Sequence, residues 1–375
     1  MICPRPIDYQ VGLCETSNIM TPNSASIPQP QPTPTAPAKR RRLLGVFWWL
    51  LIWPICLLLT LWEGMAINYS NLPHWLSPMA AAAVAVAALA SLVFLKPRWR
   101  ALAVFVLLFA FIVVGWEQIP PSNDRDWQKD VTILPWAEFS GDRVTIHNIR
   151  NCNYRSETDF DVRHYDRSFD LDKLRSVDLM LVHWGSPHIA HTMLSFGFEG
   201  DQYLCFSIET RKRVGQTYST IEGFFKQYEL TYVVADERDL VRLRTNYRGE
   251  QVYIYRLKAT PQLRREVLLG YLQAVNSLHD RPEWYNALTS NCTTNIRRHI
   301  QPFTHGAWDW RMLLNGHLHE LIYERGAVDT TLPQPELQAR CLVNDRAKTA
   351  GDDEDFSRRI RVGLPGIMPV AAESP

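Results

Sequence analysis

The seven cysteines of this chain include no C-x-x-C pair, which argues against a zinc ribbon or a thioredoxin-type redox motif. Net charge is nearly absent. Forty Lys and Arg against 39 Asp and Glu leave +1, so there is no global electrostatic case for a nucleic-acid partner. Lys and Arg are also missing locally, from residues 63–75, and no charged residue interrupts the apolar runs 43–62, 76–95 and 101–116. A charge inside a span would point to a transport path. Without one, the spans read as an anchor. No H-E-x-x-H spacing occurs either. His183-x4-His188-x2-His191 and His317-x-His319 crowd imidazoles together without a recognised ligand pattern, so neither a metal nor another cofactor is expected.

What is present divides the chain into four parts. Residues 1–38 are rich in Pro, Ser, Thr and Gln, as in Ser26-Ile27-Pro28-Gln29-Pro30-Gln31-Pro32, and read as a disordered segment with too few apolar residues for a core. Residues 39–116 hold three transmembrane helices, since about twenty apolar residues at 1.5 Å each cross a core of about 30 Å. Lys39-Arg40-Arg41-Arg42 precedes the first span and Lys96, Arg98 and Arg100 sit in the turn between the second and third. The positive-inside rule places both basic segments in the cytoplasm. Three spans then deliver the rest of the chain across a bacterial inner membrane into the periplasm. Residues 117–330 have the composition of an α+β domain, and residues 331–375 read as a polar, acidic tail with a short docking segment around Ile360-Arg361-Val362-Gly363-Leu364.

Within the α+β part, 177–182, 191–198, 203–209, 230–235 and 251–257 alternate or run apolar as strands, with Gly200-Asp201 as a turn between the second and third. Thr260-Pro261 starts a helix on which Leu263, Val267, Tyr271, Val275 and Leu278 recur at helical spacing. A second, short helix opens at Cys292, capped by Asn291 or Ser290 and closed by Pro302, with Ile296 and Ile300 on one face.

That cysteine is the first candidate for chemistry. A helix start presents unpaired N–H groups and positive dipole, which favour thiolate over thiol. His191 is the candidate base, on a strand whose Leu194, Phe196 and Phe198 face the core and whose His191, Met193 and Ser195 face the other way, towards a cleft. Glu209, on the neighbouring strand, is placed either to orient the imidazole or to pair with Arg211 or Arg213. Cys205 reads as core, and Cys152 with Cys341 as a conceivable disulfide on the oxidising side. Arg211, Lys212, Arg213, Arg242, Arg244 and Arg248 read as a solvated face or as a surface for anionic phospholipid headgroups.

Several stretches in order resemble the family named for the Lnb N-terminal periplasmic domain. They are His191-Thr192 with Leu194-Ser195-Phe196-Gly197-Phe198, Ser207-Ile208-Glu209-Thr210-Arg211, Gln227-Tyr228-Glu229-Leu230, Leu243-Arg244-Thr245, and Tyr285-Asn286 with Asn291-Cys292-Thr293-Thr294. The resemblance implies a permuted papain-like fold, an antiparallel sheet with helices, in which a strand histidine precedes a helix cysteine. It also implies Cys292 as nucleophile and His191 as general base, with Glu209, Tyr285 and Asn291 at family positions. The activity it implies is a cysteine-dependent acyltransferase or hydrolase acting on lipoprotein or phospholipid esters, Lnb itself being a lipoprotein transacylase. A shared fold does not fix a substrate. A non-catalytic lipid- or peptide-binding envelope module and a cell-wall peptidase or amidase stand as alternatives.

Overall fold

The computed structural model describes residues 37–300, 309–312 and 314–367. The segment expected to be disordered lies outside these, apart from its last two residues, and so does Pro302. Two compact units divide the chain, residues 1–56 and 57–375. Three apolar helices come first: α1 (Pro37–Asn68), α2 (Ser77–Phe94) and α3 (Arg98–Glu117). Trp49–Asn68 and the whole of α2 and α3 are long and apolar enough to cross a membrane. The first span runs further than its uncharged run suggested and takes in Glu63, which is fully buried.

An eight-stranded sheet follows in the order β1 (Trp136–Ser140), β2 (Arg143–Arg150), β9 (Glu229–Ala235), β8 (Gln202–Arg211), β7 (Ala190–Phe198), β6 (Leu174–His183) and β10 (Gln251–Arg256), with β5 (His164–Asp170) also paired to β2. A separate ribbon joins β3 (Asn153–Tyr154) to β4 (Phe160–Asp161). Pairing is antiparallel except where Arg150 of β2 meets Ala235 of β9 in parallel, so the sheet is mixed rather than purely antiparallel. Gly200 and Asp201 turn β7 into β8 with φ of 75° and 54°, the left-handed pair that a tight hairpin needs.

Both faces of the sheet are covered. On one, Leu179, Leu194, Phe196, Phe206 and Tyr232 pack against α5 (Pro261–Asp280), α6 (Cys292–Ile300), α7 (Leu318–Glu324) and α8 (Gln334–Cys341). The start of α5 is fixed by Thr260, whose hydroxyl accepts from the Leu263 N–H at 3.1 Å, and by Pro261 at the first helical position. On the other face, Met180, Val182, Met193, Cys205 and Ile254 pack against α4 (Glu237–Arg242), α9 (Asn344–Ala350) and α10 (Phe356–Arg359).

The second layer corrects two expectations. The face of β7 that carries His191 and Met193 does not open onto a cleft along its length, because every residue of that strand is buried. The docking segment expected around residues 360–364 does pack back, but the rest of residues 331–367 is not a tail. Together these residues supply Val343, Ala347, Phe356, Ile360 and Leu364 to a core, and their Arg361 is 3% exposed between Asp178 and Glu237. Polar composition concealed this, since short helices need only one apolar residue per turn to pack. Cys152 and Cys341 are both free and sit in different apolar clusters, so they form no disulfide with each other.

Candidate functional site

Cys292 is the first residue of α6, and the sequence before it builds the cap. Asn291 Oδ1 accepts from the Thr294 N–H at 2.9 Å, and Thr294 Oγ1 accepts from the Asn291 N–H at 2.9 Å, a reciprocal arrangement that satisfies two donors at once. Asn291 Nδ2 donates back to the Ala287 carbonyl at 2.9 Å. Asn291 is thus spent on fixing the helix start, as the capping expectation had it. The first-turn N–H groups of Cys292 and Thr293 cannot find acceptors inside their own helix.

β7 brings His191 to the sulfur. The imidazole stands close enough to the thiol for its charge to act on Cys292, while its Nε2 lies 2.6 Å from Ser207 Oγ and 3.3 Å from Glu209 Oε1. Ser207 donates to the same carboxylate oxygen at 2.6 Å. Arg244 Nη2 donates to it at 2.8 Å and extends Nη1 to Glu250 at 3.1 Å. The result is a line of alternating charge: Cys292, His191, Glu209, Arg244, Glu250. Glu209 therefore orients the imidazole. Its alternative partner Arg211 is directed elsewhere, to the carbonyls of Val131 and Thr132 and to Asn123 Oδ1.

Electrostatics follow from this line. Burial raises the Cys292 thiol, but the His191 hydrogen bond and charge, with donors from the Thr192 hydroxyl and backbone N–H, outweigh it and pull the thiol down to about 6. Burial lowers the His191 imidazolium and Arg244 opposes it too. The Glu209 carboxylate dominates, and His191 rises to about 9. Glu209 is pushed up by burial and held well below the carboxylate range by His191 and Arg244. Between those values the pair is thiolate and imidazolium. The other described soluble-side cysteines go the opposite way: burial pushes Cys152 and Cys341 up to about 12, and Cys205 well above its ordinary value.

Tyr285 lies near enough for the Cys292 charge to act on it. Burial, then Tyr218, push its phenol well up, so it stays a donor. Three contributors were not placed at the site by the sequence. Ser207, in the Ser-Ile-Glu-Thr-Arg stretch, had no role, and Arg244, in Leu-Arg-Thr, read as part of a solvated or lipid-facing surface whereas it pairs with Glu209. Asn315 lay outside these motifs. It pairs with Ala190 of β7 in both directions, at 2.8 and 2.5 Å, donates to Thr293 Oγ1 at 2.6 Å, and stands 4.0 Å from Cys292 Sγ. It ties the start of the histidine strand to the start of the cysteine helix.

The basic residues do not form one solvated face. Arg211, Arg242 and Arg244 are buried. The crowded histidines separate as well: His188 Nδ1 meets His317 Nε2 at 2.9 Å, His317 Nδ1 meets Glu320 at 3.0 Å, and His191 belongs to the thiol site. Among the described residues no group of three His, Cys, Asp or Glu is arranged to hold a metal.

No curated protein and no solved structure matches the chain. Residues 161–316, which contain Cys292, His191, Ser207, Glu209, Arg244 and Asn315, match the model of one family. That family is the one described as the Lnb N-terminal periplasmic domain, and the match falls behind the three apolar helices.

Proposed function

We propose that the protein is an inner-membrane-anchored thiol acyltransferase or hydrolase whose soluble domain faces the periplasm and whose substrate is an ester held at the bilayer. The orientation rests on Lys39–Arg42 and on Lys96, Arg98 and Arg100 as cytoplasmic flanks. The observation that carries the chemistry is a cysteine at a helix start brought beside His191, whose Nε2 lies 3.3 Å from Glu209 Oε1.

In this reading the Cys292 thiolate attacks the ester carbonyl, forming a C–S bond. The oxyanion is met by the first-turn N–H groups of α6. As the C–O bond breaks, the His191 imidazolium gives its proton to the leaving alkoxide. The neutral imidazole then takes a proton from an incoming amine or water that attacks the thioester, and the thiolate is released with the imidazolium restored. Glu209 holds the imidazole and balances its charge through both steps. The dyad alone leaves transfer and hydrolysis open, and a lipoprotein or phospholipid ester fits an anchored site.

The test is labelling of the detergent-solubilised protein with a thiol-reactive acyl probe at pH 7, mapped by mass spectrometry. Label on Cys292, slowed in His191→Ala and restored there only as the pH is raised, is the expected result. Equal label on Cys152, Cys205 or Cys341, or full activity of Cys292→Ala in any assay where the native protein turns over, overturns it.

A further inference from the structure

The loop between β8 and β9 connects the apolar helices to the thiol site through direct contacts. Phe225, 5% exposed, stacks on Tyr69 just past the end of α1, with ring centroids 5.6 Å apart, and tilts onto Trp62 at 6.3 Å. Lys226 Nζ donates to the Trp116 carbonyl at 3.1 Å and lies 4.1 Å over the Trp116 ring, a cation at the C-terminal end of α3 where the helix dipole favours one. Gln227 Nε2 donates to the Tyr69 carbonyl at 2.6 Å. Three consecutive side chains thus grip the same ends of two helices.

The other side of the loop braces the nucleophile. The Gly223 carbonyl accepts from the Ala287 N–H at 3.1 Å, and the Tyr228 carbonyl from the Tyr285 N–H at 2.9 Å. Ala287 in turn accepts from Asn291, the cap of the Cys292 helix. Around this brace stand Val214, Tyr218, Ile221 and Phe224 of the loop and Leu288 beside Ala287, exposed by 60%, 49%, 52%, 38% and 56%. Exposed apolar groups on a segment joined to the ends of two membrane-length helices have an evident partner of matching chemistry.

We infer that residues 214–225 and Leu288 seat in the outer leaflet of the bilayer, so that the segment bracing the Cys292 helix lies at the lipid surface. The occupant of this apolar surface is the interfacial acyl region of the membrane. Its wedge of Val, Ile, Phe and Leu with a Tyr at the edge has the composition that partitions there. The inference rests on the three-span reading and not on catalysis.

Proteoliposomes of the full-length protein in phosphatidylcholine carrying a diazirine on the acyl chain close to the glycerol ester test it. After photolysis, lipid adducts are mapped by mass spectrometry. Adducts within 214–225 and on the peptide containing Leu288, together with adducts on the three apolar helices, are expected. The same exposed apolar character at Val362, 65% exposed on the C-terminal layer, should carry none. Ile221→Glu with Phe224→Glu should abolish the loop adducts and leave those on the helices. Adducts confined to the helices overturn the seating while leaving the spans in place. Adducts at Val362 as abundant as those on the loop also overturn it, because the signal then reports adsorption. A lack of adducts on the helices themselves overturns the span reading and this inference with it.

Discussion

Replacing His191 with Ala tests what holds the Cys292 thiolate. With the imidazole present the thiol sits at about 6, which makes about 90% of it thiolate at pH 7. Without it, burial is opposed only by Thr192 and the helix start, and the thiol returns to 9.0 or above. Thiolate then falls to about 1%, roughly a hundredfold loss. Intrinsic nucleophilicity partly offsets this, because a thiolate three decades more basic reacts about 15–30-fold faster at a Brønsted slope of 0.4–0.5. A single rate at pH 7 would therefore drop only about three- to sixfold. The decisive assay is the alkylation rate of Cys292 by iodoacetamide across pH 5–10, followed on its own peptide. The native profile should inflect near 6 and the variant near 9 or higher, with Cys152 and Cys341 inert throughout as internal reference. An inflection that stays near 6 in the variant refutes the reasoning, because Thr192 and the helix start would then suffice.

Three further outcomes are expected. Turnover should follow a bell in pH, falling below about 6 as the thiolate takes a proton and above about 9 as the imidazolium loses one, the two limits belonging to the pair rather than to either residue. Glu209→Gln should pull the alkaline limb down towards the ordinary histidine value of 6.5, since it removes the carboxylate that raises His191. A profile unchanged in Glu209→Gln would mean that the carboxylate does not face the imidazole in solution. Asn291→Ala should cost about 1 kcal/mol through the lost cap, read as a fall of about 2–4 °C in Tm for a domain of this size. Arg361→Ala should cost about 3–5 kcal/mol, because it leaves the buried Glu237 carboxylate without its cation, with only the Ser195 hydroxyl donating to it among the described residues, while Asp178 keeps Arg256. A Tm within a degree of native for Arg361→Ala would return residues 331–367 to the status of a tail.

The elements that local pattern dictates were legible. The strands at 177–182, 191–198, 203–209 and 230–235 lie within observed strands, as does 251–257 but for its last residue, and the caps at Thr260 and Asn291 are where their side chains demanded. That Cys292, His191 and Glu209 lie together was legible because each sits at a position with a local reason, a helix start or an adjacent strand. What long-range packing decides was not. Arg244 looks in sequence like any exposed arginine, and only the turn that follows α4 takes it under the sheet to Glu209. Asn315 is a lone amide more than a hundred residues from Ala190, and no periodicity announces that pairing. The second core was missed for the same reason: Val343, Ala347, Phe356 and Ile360 are scattered among Asp, Lys and Arg, and their common face exists only once three short helices are folded together.

The hidden layer also bears on the chemistry. A carboxylate under a sheet costs several kcal/mol unless it is paired, and Glu209 is paired twice, with His191 and with Arg244. Arg244 is itself buried and needs a second anion, which Glu250 supplies. Counting Cys292 as thiolate, the line runs minus, plus, minus, plus, minus, so every inner member has an opposite charge on each side. Glu250 borders the polar cavity lined by His183, Tyr253 and His317, where solvent reaches the far end of the line. The near end is the sulfur, whose excess negative charge is met by Thr192 and the start of α6. Protonating the thiolate therefore leaves an inner line that is still balanced, plus, minus, plus, minus. Removing the imidazole proton instead leaves the thiolate and Glu209 without the cation between them. This asymmetry is why His191 holds its proton to about 9 while Cys292 releases its own near 6. It also makes Glu209, rather than Cys292, the residue that holds the proton on His191 as pH rises.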